Sequence, residues 1–133
     1  MIAAVADTHA AVWYLFDDPR LSLAAQNLIE ATRVSRRKIA VSSISLAELV
    51  YLVEKSRLQQ SAYDDLRSAM MDREHVFHEA PFTAAVVDAM RQVSRSEIPD
   101  MPDRMISATA IHLGVPVISR YSRIRASTVP TIW

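Results

Sequence analysis

Apolar residues along this chain fall into two kinds of run. Residues 2–6, 39–42, 76–79 and 115–119 are short continuous stretches that read as buried strands, with a last one at 131–133. Between them apolar positions recur at helical spacing over 8–16, 22–34, 45–56, 59–73, 83–94 and 102–113. Leu23, Leu28 and Ile29 form the expected buried stripe of the second helix. Leu46, Leu49, Val50 and Val53 form that of the third. Asp17-Asp18-Pro19, Pro81 and Pro99-Asp100-Met101-Pro102 punctuate the pattern, and Gly114 stands where a helix C-terminal cap belongs. Strands alternating with helices predict an α/β fold with parallel strands joined by right-handed crossovers. The strands are apolar throughout and do not alternate, so the sheet should be covered on both faces. In such folds the ligand site lies beyond the carboxyl ends of the strands.

The length, 133 residues, suits a single domain, and no repeat or linker divides it. Lys plus Arg and Asp plus Glu number 15 each, so no global basic field marks a nucleic-acid partner. Any such contact must come from local clusters. The absence of cysteine excludes disulfides, thiolate nucleophiles and Cys-ligated zinc. Gly-rich phosphate loops and dinucleotide fingerprints are excluded because Gly114 is the only glycine. The first residues lack the basic segment of a signal peptide, and no stretch is apolar enough to span a membrane. A soluble cytoplasmic domain is expected.

Three acids fall at the strand-to-helix rim. Asp7 closes the first strand and can cap the helix that follows. Glu48 completes Ser45-Leu46-Ala47-Glu48, the pattern of a capping box. Asp103 follows Pro102 and suits the first turn of its helix, with Asp100 as the N-cap. Each acid has a structural role open to it. Jointly they suggest chemistry, because carboxylates brought together repel unless a cation neutralises them. Oxygen donors without cysteine point to Mg2+ or Mn2+, which can activate water against a phosphodiester. The histidines compete poorly: His75 and His78 are close in sequence, His112 is isolated, and only His9 is near an acid.

The segment VADTHAAVWYL resembles the opening of PIN-domain ribonucleases, SSISLAELVYLVEK their second acidic motif, and IPDMPDRMISATAIHLGVPVISRYSRIR their third and fourth. The length and motif order are similar to the VapC toxins of toxin–antitoxin pairs. This resemblance implies a three-layer α/β/α fold around a short parallel sheet. It also implies Mg2+- or Mn2+-dependent RNA cleavage with Asp7, Glu48 and Asp103 as catalytic and metal-binding acids. Thr8 and Ser119 would support them. A homodimer and a VapB-like antitoxin are the implied partners.

The fourth acid of the family pattern would fall at Tyr121, a phenol that stays neutral at pH 7 and is a poor Mg2+ ligand. Three readings stand open: three acids suffice, Asp100 substitutes, or the chain is a weakened PIN-fold module that binds an antitoxin without cutting. A phosphatase-like use of Asp7 is disfavoured, because His9 occupies the place of its second Asp. Arg104, Arg120 and Arg123 are the candidate phosphate contacts, with Arg125 beside them and Arg36, Arg37 and Lys38 as a second patch. Trp13, Tyr14 and Phe16 are available for base stacking, for the core or for a partner groove.

Overall fold

A five-stranded parallel sheet runs through the computed structural model of the chain, which describes residues 1–133. Its strands are β1 (Ile2–Ala6), β2 (Lys38–Ser42), β3 (Phe77–Ala80), β4 (Val117–Ile118) and β5 (Thr131–Ile132), in the order β3-β2-β1-β4-β5. The helices are α1 (Thr8–Leu15), α2 (Leu23–Val34), α3 (Ser43–Glu54), α4 (Gln60–Met71), α5 (Ala84–Ala89), α6 (Met101–Leu113) and α7 (Ser122–Ala126).

Successive strand residues point to opposite faces, and both faces are covered. Ala4, Ala6, Ile39, Val41 and Phe77 pack with Ala10, Ile29, Leu49 and Leu66 in one core. Val5, Ala40 and Val117 pack with Val86, Ala89, Ile106 and Ile124 in the other. This is the predicted three-layer α/β/α arrangement. The chain lays β1, β2 and β3 in one direction, then returns to place β4 on the far side of β1. The reversal between β1 and β4 opens a crevice at their carboxyl ends. No helix is long and apolar enough to cross a membrane.

The departures from the predicted elements have local causes. The strand expected over 115–119 shrinks to two residues. Pro116 has no N–H to donate, and the Val115 N–H is spent on the Ala110 carbonyl at 3.1 Å, closing α6. The helix expected over 83–94 ends as α5 and continues as a 3-10 turn, Met90–Gln92. There the Arg104 Nη2 donates to the carbonyls of Met90 (3.2 Å) and Val93 (3.3 Å). Helix α7 escaped the sequence pattern because five residues with one buried side chain, Ile124, carry no periodicity. Two predicted stripes are rotated: Leu23 is 76% and Val50 44% exposed. Ala25, Ile29 and Thr32 face inward on α2, and Ser45, Leu49 and Leu52 on α3.

Four helices end in the same way although the chain has one glycine. After α6, Gly114 adopts φ 70°. After α1, α2 and α3, Asp17, Arg36 and Ser56 take left-handed conformations at 52°, 60° and 54°. Each is followed by an N–H that reaches back into the last turn, as from Asp18 to Trp13 (2.8 Å) and Arg57 to Leu52 (2.9 Å). A side chain there costs free energy that glycine does not. Ser56→Gly is therefore expected to raise the unfolding free energy by about 0.5–1 kcal/mol, read as an upward shift of the urea midpoint at constant slope.

Candidate active site

Beyond the carboxyl ends of β1 and β4 lies an open cleft of about 680 Å3. Asp7, Glu48 and Asp103 all line it, with Asp100, His9, Trp13, Arg20, Arg120, Tyr121 and Ser122.

Asp7 follows β1 and caps α1. Its Oδ1 accepts the Ala10 N–H at 2.9 Å, so the capping role read from the sequence is real. It is only 7% exposed. Burial raises its carboxyl above the ordinary value. The Ser119 hydroxyl, the Ala10 N–H and His9 act in the opposite direction, while Glu48 adds to the rise.

Glu48 is not part of a capping box. Helix α3 starts earlier than expected, and its cap is Ser42, whose Oγ accepts the Ile44 N–H at 3.1 Å. Glu48 thus stands in the second turn, free of the helix terminus. Its Oε1 lies 2.6 Å from the Thr8 Oγ1, which is also 2.9 Å from the Ser45 Oγ. A threonine has one proton. It donates to the carboxylate, and the Ser45 hydroxyl can then donate to Thr8. Ser45 and Thr8 are buried, so this chain fixes the Glu48 side chain from below.

Asp103 sits on the first turn of α6. The cap is Asp100, whose Oδ2 accepts the Asp103 N–H at 3.3 Å. Burial pushes the Asp103 carboxyl up to about 8, with further contributions from the neighbouring Asp100, Glu48 and Asp7. The structure has two ion pairs, Arg20–Asp18 and Arg33–Glu30. None of the four cleft acids is paired with a cation.

No three carboxylates or imidazoles stand close enough to form a ready-made metal cage. The donor chemistry nonetheless fits a hard cation. It offers carboxylate oxygens from separate elements that repel one another and form no ion pair, with His9 on the same cleft.

Of the other predicted residues, Ser119 is buried beside Asp7, and its Oγ accepts the Tyr121 N–H at 3.0 Å. Tyr121 itself lines the cleft where the fourth acid was expected. Arg120 lines it too. Arg104 does not; its guanidinium is committed to the carbonyls after α5. Nor does Arg123, which faces a separate depression with Ser96 and Glu97. Lys38 begins β2, at the opposite end of the sheet from the cleft, and its Nζ donates to the Arg73 and His75 carbonyls at 2.7 and 2.6 Å. The His75 Nδ1 accepts the Phe77 N–H at 3.0 Å, so this histidine serves the backbone. Tyr14 is spent on Glu30. Arg20 was missed. In sequence it is one turn residue after Asp17-Asp18-Pro19, and no signal there ties it to the acids.

The fold and cleft define a three-layer α/β/α domain with an acidic rim, and similarity to known proteins makes this specific. The PIN domain family matches residues 4–126, and the chain belongs to that family. It is 32% identical over 136 residues to Ribonuclease VapC22 of Mycobacterium tuberculosis (strain ATCC 25618 / H37Rv), covering the whole of both chains. Among solved structures, it matches a chain of VapBC2 from Rickettsia felis bound to a DNA fragment from their promoter. The TM-score is 0.69 at 22% identity, over 98% of this chain and 97% of the other. A toxin–antitoxin complex from Klebsiella pneumoniae matches with TM-score 0.66 and 21% identity, over 98% and 97%.

Proposed function

We propose that this chain is the endoribonuclease toxin of a toxin–antitoxin pair, cutting RNA phosphodiester bonds in a divalent-metal-dependent reaction. The observation that carries this reading is the convergence of Asp7, Glu48 and Asp103, unpaired by any cation, at the crevice of a PIN domain. The full-length likeness to a named VapC ribonuclease supports RNA as substrate. The recurrence of toxin–antitoxin complexes among chains of the same fold supports a VapB-like protein as partner.

Asp7, Glu48 and Asp103 would hold Mg2+ or Mn2+. Bound there, a divalent ion would supply a more acidic water and a counter-charge for the phosphodiester oxygens. The protein's own part is orientation. Asp7 is fixed by the Ala10 N–H and the Ser119 hydroxyl. Glu48, which lines the cleft, is fixed through Oε1 by Thr8. Burial and the neighbouring acids raise the Asp103 carboxyl to about 8, and a cation held there would favour its ionised form. Asp100 lines the same cleft but has its carboxylate on the Asp103 N–H, so the three acids carry this reading.

Tyr121 also favours a second reading, a PIN-fold module that binds an antitoxin and does not cut. The two are separated by comparing the parent with Tyr121→Asp in RNA cleavage under Mg2+ or Mn2+. The ribonuclease reading expects the parent to cut, with Tyr121→Asp changing the rate by about tenfold or less, the scale of one added ligand beside an existing set. If only Tyr121→Asp cuts, the parent is the binding module.

A further inference from the structure

Two guanidinium groups lean on one indole at the edge of the acid cleft. The Cζ of Arg20 lies 4.9 Å and that of Arg120 5.7 Å from the Trp13 ring centroid. Arg20 comes from the turn after α1 and Arg120 from the loop after β4, so the fold brings them together across a hundred residues. Trp13 is a fixed post. It is 8% exposed and is wedged against His9 and Trp133, at centroid distances of 5.7 and 5.9 Å. With these neighbours around it the ring is not free to stack on a base, which removes one role the sequence left open.

The arrangement is odd for plain surface arginines. Four carboxylates share the same cleft, yet neither guanidinium pairs with any of them. Arg20 is held off by Asp18, which takes its Nε at 3.1 Å and its Nη2 at 2.8 Å. Its remaining N–H groups are unspent. Arg120 has no carboxylate partner. Asp18 balances the Arg20 charge while Arg120 has no such counter-charge, and a free guanidinium edge matches the paired oxygens of a phosphate.

The geometry points to Arg20 and Arg120 as a clamp, posted on Trp13, for a backbone phosphate of the RNA strand next to the bond that is cut. This rests on the ribonuclease reading above and adds the part of the strand that the acids do not hold. The clamp reads charge and spacing and is indifferent to base identity. Trp13 is a positioning residue, acting through the two arginines.

The test uses binding, which does not depend on turnover. A short fluorescein-labelled single-stranded RNA is titrated into full-length Asp7→Asn protein by fluorescence anisotropy, beside the same protein carrying Arg20→Ala, Arg120→Ala or both. Each single change is expected to raise Kd about fivefold to tenfold. Each should also lower the slope of log Kd against log salt by roughly 0.7, the value for one phosphate contact on a single strand. Trp13→Phe should keep most of the affinity, and Arg20→Lys should lose part of it, because charge remains and the planar stack does not. In cutting-competent protein the loss should appear in KM more than in kcat. Unchanged Kd and salt slope in arginine variants with parental thermal unfolding would overturn the clamp. So would variants that lose the antitoxin but not the RNA, which would make the pair a protein contact. Failure of the parent to cut RNA would defeat the ribonuclease reading instead, and the binding result would still stand by itself.

Discussion

Asp7→Asn should reduce RNA cleavage by about a hundredfold to a thousandfold, the order of loss seen when one preorganised electrostatic group is removed from an active site. The choice of asparagine matters. Asp7 is both the cap of α1 and a cleft acid. Asparagine caps a helix as well as aspartate does, so the Ala10 N–H keeps its partner and the fold survives. What disappears is the charge. Initial rates of purified, antitoxin-free protein on an RNA substrate, with thermal unfolding as the control for folding, read the two effects apart. Cleavage within about tenfold of the parent would place the chemistry elsewhere.

Asp103→Asn should do two opposite things: abolish cleavage and stabilise the metal-free protein. The Asp103 carboxyl rises from an ordinary 3.8 to about 8 through burial and the neighbouring acids. The folded state therefore binds its proton more tightly than the unfolded state does. Stability from this group is fully present below the unfolded value and is lost as pH rises toward 8, where the charged form must be held against its surroundings. Asparagine removes that penalty. The Tm advantage of Asp103→Asn over the parent should be near zero at pH 4 and grow steadily to pH 8. At pH 8 it should correspond to about 1–2 kcal/mol, well below the full 1.36 kcal/mol per pKa unit, because Asp103 is only half-buried and water screens it. In a domain of this size that is about 4–8 °C. Adding Mn2+ should then raise the Tm of the parent and leave the variant nearly unmoved. A Tm difference independent of pH would mean that Asp103 is an ordinary surface acid.

Both predictions turn on acids that could be found in the sequence, and the reasons differ. Asp7 and Asp103 stood next to strong boundary signals, a strand end and a proline-bounded helix start, so their place at the rim followed from the elements. Glu48 reaches the rim because α3 follows β2 directly. The Ser45-x-x-Glu48 spacing mimics a capping box, but the strand runs straight into α3 through Ser42, and Ser45 turns inward to Thr8. A tertiary hydrogen bond overrode the local pattern. The three layers and the parallel sheet were legible because strand and helix periods alternate cleanly. The sheet order and the β1/β4 crevice depend on which strands pair, which no local window contains. The arginines were the least legible. Arg104 and Arg123 are near the acids in sequence but turn to the carbonyls after α5 and to a separate depression. Arg20 is far from them in sequence and lies in the cleft. Distance along the chain says little about which long, flexible cation ends where.

Three acids with a tyrosine in the fourth place are held to make a working, metal-dependent ribonuclease, and the parent protein tests this by itself. RNA cleavage is measured with purified, antitoxin-free chain in Mn2+ or Mg2+, then after chelation with EDTA, beside Asp7→Asn prepared in parallel to expose contaminating nuclease. The account predicts cleavage by the parent with metal, its loss on chelation and its absence in Asp7→Asn. Equal cleavage by parent and Asp7→Asn, or none by a folded parent in either metal, would contradict it.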